Sequence, residues 1–290
     1  MAEQKVAIVS DTTLDVPDEI CRDLGVQLAP VNVLAGEHSY KDRIEISIEE
    51  ANRLMLEGQV RLSTSAVAPA DWLRAFEKAS QISKEIVAFS ISPGLSSTYS
   101  SALSAAELLE EGEVHVVDAK TILSSMGLVV LECARRAKAG ADLDEILSRA
   151  ERLVSRVRMV VTSAGRSFAK GGGRYSGEGV PESDEGLPIF RIWANGWKEI
   201  DRAPTRKEAI DRLFHWMAKD LEEVGYEDGM SLKVAVDHIV CPEEAAYLRD
   251  RIAEIHHPKE LFLWKIGPTA GIHLGPGTVG MGYLADFDLT

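Results

Sequence analysis

Residues 85–118 read EIVAFSISPGLSSTYSSALSAAELLEEGEVHVVD. EIVAFS (85–90) and EVHVVD (113–118) are short apolar runs of strand length, and each ends in a polar residue. Such runs predict buried strands. SPGLSS between them predicts a loop, and STYSSALSAAELLEEG predicts a small-residue helix that closes at Gly112. Strand, helix and strand in that order predict an α/β layer fold with a parallel sheet.

The same alternation extends outward. VAIVS (6–10) predicts another buried strand, running into the polar SDTT. PDEICRDLG predicts a short helix, with Pro17 at its start and Gly25 just past its end. VQLAPVNVL predicts the next strand, with Pro30 marking an edge or irregularity. Ser47 and Glu50 have capping-box spacing, which opens a helix running to about Gly58. TSAVAPADW predicts a loop, then a helix from Pro69 to about Ser83; two more helices follow at 122–139 and 142–155. Beyond residue 157 the character changes. Residues 187–203, LPIFRIWANGWKEIDRA, predict two strands around an Asn195-Gly196 turn, and a hairpin requires antiparallel pairing. A helix (205–224), a strand (231–237), a helix (242–255) and a strand (260–265) complete the pattern. The expected division is an N-terminal parallel-sheet domain, 1–157, and a C-terminal mixed-sheet domain, 158–290.

Composition limits the partners. The 290 residues are 45% hydrophobic and 27% charged, which is globular composition. Acidic residues outnumber basic ones 46 to 32, for a net charge of −14. That excess argues against nucleic acid and against docking on an anionic membrane. Cys21, Cys133 and Cys241 are sparse and lack paired spacing, so neither a disulfide framework nor a zinc site is expected. No signal peptide and no membrane span are read, which predicts a cytoplasmic protein.

Ligands of open α/β sheets bind beyond the carboxyl ends of the strands. The polar segments placed there are Ser10 to Thr13, Thr64-Ser65, Ser92 to Thr98, and Asp118. GIHLGPGTVG (271–280) adds His273 in a Gly/Pro loop. Hydroxyls, backbone N–H groups and an imidazole are donors suited to a carboxylate. The competing reading is structural: loop Ser and Thr cap helices, as Ser96 or Ser97 would for the helix behind them, and His273 would make a structural hydrogen bond. His256 and His257 read as a solvated helix end, and Trp193, Trp197, Trp216 and Trp264 as core and surface aromatics. Sharper motifs fail. No GxSxG elbow is present, and KGGGR (170–174) lacks phosphate-loop spacing. Asp11 and Asp15 have no further carboxylate cluster with which to hold Mg²⁺.

Taken in order, these segments resemble the DegV family of bacterial lipid-binding proteins. The matching elements are SDTTLDVP (10–17), TSAVAP (64–69), SPGLSSTYSSA (92–102), VDAK with SSMG (117–127), GGR (172–174), LPI (187–189) and HLGPGTVG (273–280). The chain departs from the family pattern at Ala66-Val67, Ser97 and Leu274. The resemblance implies two α/β domains with a long-chain fatty acid buried between them. It implies that Thr64, Ser96 and His273 hold the carboxylate, beside Ser65, Ser97, Thr98 and Gly275. It implies no cofactor and no catalysis of its own: a carrier that presents its acyl ligand to a separate fatty acid kinase, without stable membrane insertion. Arg202 is the residue expected to meet the acyl phosphate or the partner. The alternative reading is a phosphoryl-transfer or hydrolytic enzyme using Asp11, Asp15 and His273.

Overall fold

The computed structural model describes residues 4–58, 62–163, 175–176, 186–193 and 196–290. The apolar run at the N-terminus forms β1 (Val6–Asp11), buried along its whole length. With β2 (Gln27–Ala29), β6 (Glu85–Ser90) and β7 (Glu113–Asp118) it makes a four-stranded parallel sheet, ordered β2-β1-β6-β7. The crossovers between neighbours are α1 (Asp18–Asp23), between β1 and β2, and α4 (Thr98–Ala106), between β6 and β7. α4 stops short of the predicted Gly112. Leu108 and Leu109 hydrogen-bond three residues back, at 3.1 and 3.3 Å, so the chain tightens into a turn. Glu107, Glu110 and Glu111 crowd this end, where the helix dipole disfavours negative charge.

Pro30 divides what the sequence reads as one strand. It has no N–H for a ladder, and the next amide, Val31 N–H, donates to the Thr12 hydroxyl at 3.2 Å. The chain therefore leaves the parallel sheet. It enters a small antiparallel one, ordered β4-β3-β5, made of β3 (Asn32–Ala35), β4 (His38–Lys41) and β5 (Leu62–Ser65). α2 (Ile48–Glu57) begins at the predicted capping residue, where the Ser47 hydroxyl accepts the Glu50 N–H at 3.1 Å. α3 (Pro69–Ala79) then leads to β6.

The remaining strands form a seven-stranded mixed sheet, ordered β13-β12-β14-β8-β10-β11-β9. They are β8 (Arg158–Thr162), β9 (Tyr175–Ser176), β10 (Leu187–Trp193), β11 (Gly196–Ala203), β12 (Ser231–His238), β13 (Glu260–Lys265) and β14 (Val279–Asp286). β10 and β11 pair antiparallel, as the hairpin reading requires. Asn195 of that turn and the GGR element at 172–174 lie outside the described residues. α7 (Arg206–Glu223) and α8 (Pro242–His256) pack on this sheet. Three of these strands were not anticipated, β8, β9 and β14. β14 is interrupted by Gly280 and Gly282, which weaken a strand pattern while allowing close packing.

α5 (Leu123–Lys138) and α6 (Leu143–Arg156) connect the two larger sheets. α5 is buried nearly all round and packs against β1 on one side and against β12 and β14 on the other. Its first turn knits the halves together. The Ser124 hydroxyl donates to Asp237 and accepts the Gly282 N–H at 2.9 Å. No described helix is long and apolar enough to cross a membrane.

Candidate functional site

The loops after β1 and β6 meet at the carboxyl end of the parallel sheet. Asp11 fixes the meeting by accepting the Thr13 N–H at 2.9 Å, the Thr13 hydroxyl and the Ile91 N–H at 2.8 Å. Burial pushes the Asp11 carboxyl upward in pKa, against the pull of these bonds. The next layer is a chain of hydroxyls. Thr98 accepts the Val67 N–H at 3.3 Å and lies 2.9 Å from the Ser96 hydroxyl. Ser96, one residue ahead of the N-cap, accepts the Thr98 N–H at 3.2 Å, while Ser97, the N-cap itself, makes no side-chain capping bond.

Thr64 arrives from a strand and not from the expected loop. LSTS forms β5, in which Thr64 stands opposite Val33. A β-branched residue beside an apolar neighbour favours that pairing. His273 likewise sits in the last turn of a short helix, α9 (Pro268–Leu274), and not in a Gly/Pro loop. Pro268 supplies the first-turn signal for this helix, and Gly275 (φ 83°) ends it. The Thr278 hydroxyl donates to the carbonyls of Leu274 and Gly275 at 3.1 and 2.8 Å, satisfying the helix end.

These elements bring the Thr64 hydroxyl within 3.1 Å of His273 Nε2, across 209 residues of sequence. Between them and the hydroxyl chain lies a small cleft with a free volume of about 30 Å³. Thr64, Ser65, Ser96, Thr98 and His273 line it, with Thr13, Thr269 and Trp197. Val31, Ile91, Leu95 and Ile122 form its apolar wall. Trp197 stands edge-on to the His273 ring, with centroids 6.3 Å apart. No Asp, Glu, Lys or Arg is among the described lining residues. The cleft therefore offers hydroxyl and imidazole hydrogen bonds beside apolar surface, which suits a head group carrying a single negative charge on an apolar tail.

The other predicted residues are placed elsewhere. Ser97 is exposed and outside the lining; its carbonyl accepts the Ser101 N–H at 3.0 Å. Gly275 shapes the end of α9. Arg202, on β11, pairs with Glu199 at 2.9 Å and donates to the Gly186 carbonyl at 3.0 Å. Trp197, read as an ordinary aromatic, and Thr269, not singled out at all, both line the cleft. The signal for Thr269 was the Gly-Pro start of α9.

Asp11 and Asp15 do not line the cleft with His273. Asp15 accepts the Gly267 N–H at 3.0 Å and pairs with Arg43 at 3.2 Å, which ties the β1 loop to the start of α9. Burial pushes its pKa from 3.8 up to about 7, against the pull of Arg43. The unfolded chain loses this proton first as pH rises, so between those values the folded state binds more protons and stability falls. Asp15→Asn keeps an acceptor for Gly267 and removes this titration. The variant is expected to lose less stability than the parent between pH 3.8 and 7, as read from urea midpoints. Parallel pH profiles would contradict it.

The fold and the cleft define a two-domain α/β protein with a donor-rich cleft free of charged side chains among the described lining residues. A family model described as "Uncharacterised protein, DegV family" matches residues 5–286, and the chain belongs to the DegV family. It is 26% identical over 286 residues to a DegV domain-containing protein of Caldanaerobacter subterraneus, covering 96% of this chain and 98% of the relative. A DegV domain-containing protein of Deinococcus radiodurans is 28% identical over 281 residues, covering 95% and 97%. Among solved structures, a DegV family protein from Thermus thermophilus, described as fatty acid binding, superposes with a TM-score of 0.87. It is 25% identical and covers 97% of this chain and 100% of that one. DegV of Bacillus subtilis, described as a fatty acid binding protein, shares the fold at a TM-score of 0.87 and 22% identity, covering 98% and 100%.

Proposed function

We propose that this chain binds a long-chain fatty acid and presents its carboxylate to a fatty acid kinase, which forms the acyl phosphate. The observation that carries the reading is the Thr64–His273 pair at 3.1 Å, which closes a cleft lined by donors and apolar side chains. Family members described as fatty acid binding support it. The chain acts as a carrier without catalysis of its own, and the division at residue 157 separates the hydroxyl loops from the His273 segment.

Energetics favour this division of labour. Each buried methylene contributes roughly 0.8 kcal/mol, so a tail of about 15 gives a gross ~12 kcal/mol before association costs. The head group then has only to be satisfied, because an unpartnered buried carboxylate costs several kcal/mol. Neutral donors meet that need and still release the acyl phosphate.

Arg202 is the contact proposed for the acyl phosphate or the kinase. An irregularity in the β10–β11 register beside Ile189 and Phe190 precedes it along the ladder, and its guanidinium pairs with Glu199. Guanidinium geometry suits a phosphate. Arg202→Ala is expected to leave fatty acid binding nearly unchanged and to lower ATP-dependent acyl phosphate formation with a bacterial fatty acid kinase subunit. Equal acyl phosphate formation with parent and variant would remove Arg202 from this role. A parent whose bound fatty acid is never converted to acyl phosphate would remove the kinase.

A further inference from the structure

We infer that Glu85, Glu113 and His115 form a site for a borderline divalent cation of the Zn²⁺ class, at the end of the parallel sheet remote from the cleft. β6 and β7 pair with Glu85 opposite Glu113 and Val87 opposite His115. Alternation along a strand then puts all three side chains on one face. One ligand atom from each lies within 4.8 Å of the other two. His115 Nε2 stands 3.5 Å from Glu113 Oε1 and 3.9 Å from Glu85 Oε2.

These separations are too long for good hydrogen bonds. They approach the spacing of two ligands on one ion, because bonds of about 2.0–2.1 Å at tetrahedral angles hold ligand atoms roughly 3.3 Å apart. His115 Nε2 and Glu85 Oε2 are both buried without a hydrogen-bond partner. Buried polar atoms are nearly always paired, and a cation between these two satisfies both. The adjacent cation in sequence, Lys84, is held away by Glu111 at 2.6 Å. An imidazole with two carboxylates suits Zn²⁺, Co²⁺ or Ni²⁺; Mg²⁺ and Ca²⁺ favour all-oxygen sets. Glu113 is exposed, which leaves the fourth position to water. β7 is an edge strand, so an ion here clips the sheet edge to its neighbour. The rise of β6 separates this site from the cleft end of the strand by roughly 16 Å, so it is independent of the fatty acid reading.

The test titrates the EDTA-stripped full chain with ZnCl₂ by calorimetry and with CoCl₂ by visible absorption, at neutral pH. The expected result is one saturable site whose affinity falls at least about tenfold in His115→Gln and in Glu113→Gln, with loss of the Co²⁺ bands. Zn²⁺ should raise the melting temperature of the parent and not that of His115→Gln. Glu113 is exposed, so Glu113→Gln tests the site even if the histidine variant folds poorly. No saturable binding in the parent overturns the inference, as does equal stoichiometry and affinity in the parent and both variants.

Discussion

His273→Ala is expected to weaken binding of a long-chain fatty acid by about 5- to 150-fold, because a hydrogen bond to a charged group contributes roughly 1–3 kcal/mol. The imidazole belongs to α9 and its 3.1 Å partner, the Thr64 hydroxyl, to β5, so its removal also leaves Thr64 without that bond. Tail burial is untouched, which sets the ceiling on the loss. The corresponding fatty acid methyl ester carries no charge and should show a much smaller difference between parent and variant. Titration of both ligands into both proteins, with melting temperatures as a fold control, makes the comparison. Equal affinities of parent and variant for the acid would take His273 out of the head-group site.

A second large effect concerns stability. Gly282→Ala should lower unfolding free energy by about 3 kcal/mol or more, at the upper end of overpacking costs. A Cβ at Gly282 would stand 2.4 Å from Ser125 N, 2.6 Å from Ser124 Oγ and 2.8 Å from Ser125 Cα. Two of those atoms are backbone of α5, which is packed between the two larger sheets and cannot yield locally. The third is the hydroxyl that accepts the Gly282 N–H and donates to Asp237. A side chain here pushes β14 away from α5 and breaks that junction. The urea midpoint should fall sharply. A change below about 1 kcal/mol would show that α5 and β14 are less tightly joined than this contact requires.

The parallel half of the fold was legible because its strands are buried on both faces and therefore apolar without interruption. β1 and β6 are the examples, whereas β7, at the sheet edge, is only partly buried and carries Glu113 and His115. The small antiparallel sheet was not legible. β4 (HSYK) and β5 (LSTS) are short and largely polar, and their pairing depends on β3 being released from the parallel sheet at Pro30. β14 hid for a different reason: its glycines lower strand propensity while serving close approach to α5 and β8.

Most of the lining hydroxyls could be found by their position after β1 and β6 and by ordered resemblance. Their secondary structure could not. The pairing of Thr64 with His273 on one side of the cleft is a tertiary fact, and neither flanking segment encodes the other's position. Trp197 was read as generic because an indole in an acidic protein has many structural uses, and only the packing of β11 against α9 brings it beside His273. Asp11 shows the reverse. Its position after β1 suggests chemistry, yet its carboxylate is occupied by three donors that shape the loop.

Native mass spectrometry of the protein purified from a bacterial host tests the central claim most directly. The account predicts a mass excess of one long-chain fatty acid per chain, released on denaturation and identified in the extract. Stripped protein should take up one equivalent of added long-chain fatty acid, and bind the fatty alcohol of equal length more weakly. Protein that carries no acyl ligand and takes up none after stripping would contradict the account.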